Sequence, residues 1–210
     1  MAVEPFDWNV VVVGYWNPAI LTPSGIARRL FELPKGTPVM VEVPMDGLAP
    51  HRVRHDGVIV TAEPSRLTLT TEDPTLGNIE RAKCIAARAI NALPETPLTA
   101  AGFNLRLKVD DVPERLLEDT AAKLDALLSD AGFRITARVL QRSLEYGEGS
   151  LNLDVRQAAD GEVRVGLNFH RQSSAIQDLC GWLEMPLDAI QKAFSRVLGT
   201  VGLSFQEAWR

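Results

Sequence analysis

The chain has 210 residues, of which 46% are apolar and 23% charged. That is ordinary for a globular protein, allows one domain or two of about 100 residues, and excludes collagen, coiled coil, disulfide scaffold and wholesale disorder. A net charge of −5 with three neutral histidines argues against general nucleic-acid binding, where phosphate neutralisation dominates affinity.

No basic leader precedes the apolar run Val10 to Val13, so it does not read as a signal-peptide core. Apolar runs fall far short of the ~18–20 residues that span a bilayer. Cys84 and Cys180 supply neither a disulfide framework nor zinc spacing. The cytoplasm is the expected compartment.

Asn9 to Trp16 is β-branched and aromatic and predicts a buried strand. Thr22-Pro23 opens a helix with a hydroxyl cap and proline at the first turn. Ile26, Ala27, Leu30 and Phe31 form its apolar stripe, and Pro34 stops it. Extended segments follow at Val39 to Val43, at His51 to Ala62 and at Leu67 to Thr70. The second of these turns at Asp56-Gly57, a strong hairpin signal. Leu76 to Leu93 predicts a helix with Ile79, Ala82, Ala86, Ala89, Ile90 and Leu93 buried.

Thr99 to Val109 predicts a strand with Phe103, Leu105, Leu107 and Val109 on one face. Asn104, Arg106 and Lys108 lie on the other. Asp111 and Glu114 suggest a capping box for a helix over Val112–Ala131. Its expected buried stripe is Leu116, Leu117, Ala121, Leu124, Leu127 and Leu128, and Gly132 is its C-cap. Strands are expected at Arg134 to Tyr146, Ser150 to Gln157 and Glu162 to His170. Helices are expected at Ser174 to Leu183 and Pro186 to Leu198, before a docked tail carrying Phe205 and Trp209.

The predicted fold class is α+β. Two β-α-β-β-β-α halves, 1–95 and 96–210, form largely antiparallel sheet with helices covering one face. The short linker at Pro94 to Pro97 favours close packing of the halves, and one domain is an alternative.

Trp16-Asn17-Pro18-Ala19-Ile20, Pro97 to Asn104 and Leu151-Asn152-Leu153-Asp154-Val155 carry a resemblance to a sporadically distributed family of bacterial proteins with no assigned function. The resemblance implies a bacterial origin. It covers about half the chain and transfers no functional residue.

Catalytic motifs are absent: there is no Gly-x-Ser-x-Gly, no glycine-rich phosphate loop and no cysteine close in sequence to a histidine. His51 and His55 are four apart on a predicted strand and turn, a span of roughly 13 Å and too far for one ion. No cofactor or metal is expected. His170, Arg171, Ser173 and Ser174 precede a helix and could hold an anion, but a serine helix cap is the expected role. Cys84, between Arg81 and Arg88 on the wet side of its helix, is expected to react faster than an ordinary thiol. Cys180 is expected to be inert.

The strongest surface signal is basic. Arg134, Arg138 and Arg142 alternate with Ile135, Ala137 and Val139. Arg164, Asn168 and His170 alternate with apolar residues on the last strand, and Asn152, Asp154 and Arg156 on the one before. Side chains alternate across a sheet, so these residues, with Arg106 and Lys108, are expected to share its uncovered face. Arg106, Lys108, Arg134, Arg138, Arg142, Arg156 and Arg164 against Asp154 give that face +6 within a chain of −5. The reading is a non-enzymatic binding or assembly protein. It uses this face for an anionic ligand or acidic protein partner, or uses a sheet edge, with a homodimer as a further expectation. An enzyme with a scattered site and a nucleic-acid-associated protein are the alternatives. The face lacks the aromatic residues that stack bases, and no membrane partner is expected.

Overall fold

The computed structural model describes residues 2–45, 49–114, 116, 118 and 123–205. In chain order the elements are β1 (Ala2–Gly14), α1 (Pro23–Arg29), β2 (Met40–Glu42), β3 (Arg52–His55), β4 (Val58–Glu63), β5 (Arg66–Thr71), α2 (Leu76–Ala92) and β6 (Leu98–Val109). Then come α3 (Lys123–Asp130), β7 (Ala137–Tyr146), β8 (Gly149–Ala158), β9 (Val163–Gln172), α4 (Ile176–Glu184), α5 (Leu187–Thr200) and β10 (Ser204–Phe205). The fold is α+β. The strands hydrogen-bond in the order β2-β3-β4-β5-β1-β6-β9-β8-β7, with β10 beside β1. The pairs β2–β3, β3–β4, β4–β5, β5–β1 and β7–β8 are antiparallel, and β10 runs parallel to β1.

Four strands lie between α1 and α2, and three between α3 and α4, so the element orders of the two sequence halves differ. The chain divides into two compact units. The first is Met1–Phe6, Leu105–Phe169 and Asp188–Arg210; the second is Asp7–Asn104 and His170–Leu187. β1, β6 and β9 each contribute residues to both.

In the second unit, Thr22 Oγ1 accepts from the Gly25 N–H at 3.2 Å and Pro23 begins α1. Asp56 and Gly57 both have positive φ, 49° and 77°, as a two-residue hairpin between β3 and β4 demands. Thr75 caps α2 through the Asn78 N–H. Ile79, Ala82, Ala86, Ala89 and Ile90 are buried, as their spacing predicts. α2 packs on β5, β4 and α4, and Val58, Val60, Leu67 and Leu69 are fully enclosed. Lys83 is also buried on α2 and reaches Glu80 at 2.7 Å. A buried lysine needs such a partner to offset the loss of hydration.

In the first unit, Leu105, Leu107, Leu151, Leu153, Val155, Val165, Leu167 and Phe169 form the apolar side of their strands. Phe194 of α5 meets Phe169 nearly edge-on at 6.4 Å, a favoured aromatic geometry. Gly132 closes α3 at φ 85°. The Gly132 N–H bonds to the Ser129 carbonyl and the Phe133 N–H to the Leu128 carbonyl, which is the pairing a left-handed glycine cap makes.

The leucine stripe expected over Val112–Ala131 is corrected. Leu116 is buried, but Leu124 and Leu127 are 58% and 66% exposed, and α3 has no buried residue. Leu117 and Ala121 lie outside the described residues. β10 brings Phe205 into a buried position beside Val3, whereas Trp209 lies outside the described residues.

Candidate functional site

Three strands carry the expected alternation. On β6, Arg106 and Lys108 are exposed and Asn104 is half-buried between fully buried neighbours. On β8, Asn152, Asp154 and Arg156 alternate with the buried Leu151, Leu153 and Val155. On β9, Arg164 and Asn168 alternate with Val163, Val165, Leu167 and Phe169. Asn152 Nδ2 donates to Asn168 Oδ1 at 3.1 Å. A side chain added at Gly166 would touch Asp154. These contacts place Asn152, Asp154, Gly166 and Asn168 on one face.

β7 departs from the expectation. Its pairs with β8 are Arg138 with Gln157, Leu140 with Val155, Arg142 with Leu153 and Leu144 with Leu151. Residues directly opposed in an antiparallel pair point to the same side. Arg138 and Arg142 therefore sit on the leucine side of β8, not beside Asn152 and Asp154. The residues that share the polar side are Val139, Gln141, Ser143 and Glu145, opposite Arg156, Asp154, Asn152 and Ser150. Arg134 precedes the strand and is exposed. The physical reason is that β7 mixes apolar and polar residues on both faces. Leu140 and Leu144 lie on one and Val139 on the other, so alternation alone does not choose between them.

The expected excess of positive charge is also corrected. Arg156 Nε bonds Asp154 at 2.7 Å and Arg164 Nε bonds Glu162 at 2.8 Å. Lys108 meets Asp110 at 3.3 Å. Arg138 Nε bonds Asp125 of α3 at 2.5 Å, and its Nη1 donates to Gln157 at 3.2 Å. The sequence count omits Glu162, which shares the parity of Arg164, while Asp110 lies just past its strand and Asp125 on a helix. Burial pushes the Asp154 carboxyl up. Hydrogen bonds from Arg156 and Gln141 outweigh it and hold the group below the usual carboxylate range. The Arg164 guanidinium also lies over the Phe6 ring at 5.9 Å. Arg142 donates to the Gln141 carbonyl at 2.7 Å. A depression of about 110 Å³ at the open end of β7 and β8 is lined by Ile135, Thr136, Arg138, Gln157 and Ala158. Its one cation, Arg138, is committed to Asp125 and Gln157.

The remaining expected residue, His170, belongs to the second unit. Among the described residues its buried Nδ1 has no hydrogen-bond partner, and burial pushes the imidazole below its usual pKa. The suggested anion position before α4 holds the protein's own carboxylate. Asp178 accepts from Ser173 Oγ at 2.9 Å and pairs with Arg171 at 3.3 Å. Ser173 Oγ accepts from the Ala175 N–H at 3.0 Å. The N-cap of α4 is Ala175, with no side-chain cap, where Ser173 or Ser174 was the expected cap. In the same unit Asn104 Nδ2 donates to Asn9 Oδ1 at 2.9 Å. His51 Nε2 lies 3.2 Å from the Leu21 carbonyl, and His55 leans on Phe31.

What sequence reasoning missed is the exposed apolar surface around β7. Val139 and Leu144 are 55% and 39% exposed, and β7 is the terminal strand of the order, paired with β8 on one side. Among the described residues, the fold and this surface define an α+β sheet protein with an internally ion-paired polar face and β7 as a long edge strand. No family model, curated protein or solved structure matches the chain. Among the described residues, no helix is long and apolar enough to cross a membrane.

Proposed function

We propose that the chain is a non-enzymatic binding or assembly protein that acts in the cytoplasm and docks an extended polypeptide along the outer edge of β7. The observation that carries this reading is the edge itself. Ten consecutive residues, Ala137–Tyr146, pair with β8 and, among the described residues, with no other strand, and Val139 and Leu144 are exposed. A terminal strand offers a row of backbone donors and acceptors with which another chain can pair. Strand addition takes its affinity from main-chain bonds and its specificity from alternate side chains. Two free cysteines, Cys84 and Cys180, suit a reducing compartment.

A second reading keeps an anionic ligand or acidic segment as the partner. Arg134 and Arg142 favour it, because no carboxylate of the described residues lies within ion-pair distance of either. Sulfate or heparin binding that disappears in an Arg134→Ala, Arg142→Ala variant would support it.

The edge reading is tested by native mass spectrometry of the protein isolated from the cells that make it. The wild type is expected to retain a polypeptide, and a Val139→Lys, Ser143→Lys variant to lose it. A bare wild-type monomer would overturn the reading.

A further inference from the structure

We propose that the polypeptide that docks on β7 is an antiparallel segment with a carboxylate opposite Arg142, flanked by apolar residues opposite Leu140 and Leu144. This deepens the edge-docking reading and rests on it. The hairpin between β7 and β8 fixes which backbone groups are open. Tyr146 pairs with Gly149 across the two-residue turn Gly147-Glu148, and a two-residue turn closes on a hydrogen-bonded pair. Hydrogen-bonded and non-hydrogen-bonded pairs alternate along an antiparallel ladder. Leu144, Arg142, Leu140 and Arg138 therefore direct their backbone N–H and C=O groups at β8. Glu145, Ser143, Gln141 and Val139 direct theirs outward.

One of these outward groups is already taken. The Gln141 carbonyl accepts from Arg142 Nη1 at 2.7 Å, so the guanidinium covers the open edge at that point. An added strand bonds the Gln141 carbonyl with its own N–H and displaces the guanidinium, which then needs another acceptor. Among the described residues no carboxylate lies within ion-pair distance of Arg142, and Asp125 is engaged by Arg138. The acceptor must therefore come with the partner. The residue that faces Arg142 in an added antiparallel strand occupies a non-hydrogen-bonded position, where opposed side chains are closest and opposite charges stabilise the pair. Leu140 and Leu144 share the side of Arg142 and set apolar residues two places before and after that carboxylate. Glu145 is exposed and, among the described residues, has no ion-pair partner. It calls for a cation three residues before the carboxylate.

The probe is a fluorescent peptide with the core Lys-Val-Thr-Glu-Thr-Val between threonines, and the control peptide exchanges its lysine and glutamate. Anisotropy titration of the purified chain is expected to show about ten-fold tighter binding of the first, because two facing charge pairs change sign between the peptides. An Arg142→Glu, Glu145→Arg variant with unchanged circular dichroism is expected to reverse the preference. Equal binding of both peptides to the wild type, or a preference that the variant retains, overturns the proposal and leaves edge docking standing. Binding of neither peptide also overturns it, and edge docking falls with it only if the wild type isolated from its cells is a bare monomer. Hydrogen exchange on the wild type needs no variant. The bound peptide should protect the amides of Val139, Gln141, Ser143 and Glu145 and leave those of Leu140, Arg142 and Leu144 unchanged. Binding without protection of the first set overturns the placement on β7.

Discussion

The placement of Arg138 on the leucine side of β7 can be tested by comparing it with Arg142, two turns of alternation along the same strand. Arg138 holds Asp125 at 2.5 Å and Gln157 at 3.2 Å, with the Arg138 and Asp125 side chains 35% and 22% exposed. A fully exposed ion pair contributes at most about 1 kcal/mol. A buried hydrogen bond to a charged group contributes about 1.5–3 kcal/mol, and leaving its partner unsatisfied adds to the loss. Discounted for solvent screening at this exposure, Arg138→Ala should cost about 1–2 kcal/mol. Arg142 is exposed and bonds a neighbouring backbone carbonyl, so Arg142→Ala should stay within about 0.5 kcal/mol. Urea unfolding of the two variants measures both. A double-mutant cycle with Asp125→Ala should return a coupling of about 1 kcal/mol. Equal costs for the two arginines, with no coupling to Asp125, would refute the register that puts Arg138 under α3.

Thiol labelling and acid stability supply two further tests. Cys84 is exposed, whereas Cys180 is half-buried with its Sγ 3.5 Å from Asn91 Oδ1. Arg81 and Arg88, expected to activate Cys84, are instead engaged by Asp56 and Glu32. Burial, and secondarily Glu184, pushes the Cys180 thiol above its ordinary pKa. A thiol reagent should therefore modify Cys84 first, with Cys180 lagging most at neutral pH; equal rates in the native protein would contradict this placement. His170 is held below its ordinary pKa by burial, so the unfolded chain takes up its proton more readily than the folded one. Its contribution to stability is complete above about pH 6.5 and is lost as the pH falls through the folded value. The wild type should lose stability on acidification more steeply than His170→Gln. Parallel pH profiles for the two would rule out this contribution.

Features that depend on a few neighbouring residues were legible in the sequence. Asp56-Gly57 is a hairpin because two adjacent residues must take positive φ. Thr22-Pro23 begins α1 and Gly132 ends α3 for equally local reasons. The faces of β6, β8 and β9 were also readable, because each carries apolar residues on one parity and polar residues on the other. β7 has leucine on one parity and valine on the other, so its face was settled by pairing with β8, where Leu140 falls opposite Val155. Of the neutralising carboxylates, Asp125 escaped for a related reason, since it reaches Arg138 from a helix. Glu162 and Asp110 are each two residues from Arg164 and Lys108 and were within reach of a local reading. The pairing of Ser204 with Ala2 joins the two ends of the described chain, and nothing in either segment announces the other. Turns and caps follow from the backbone preferences of adjacent residues. Register, the Arg138–Asp125 pair and the openness of an edge depend on groups distant in sequence, and only the tertiary structure brings those groups together.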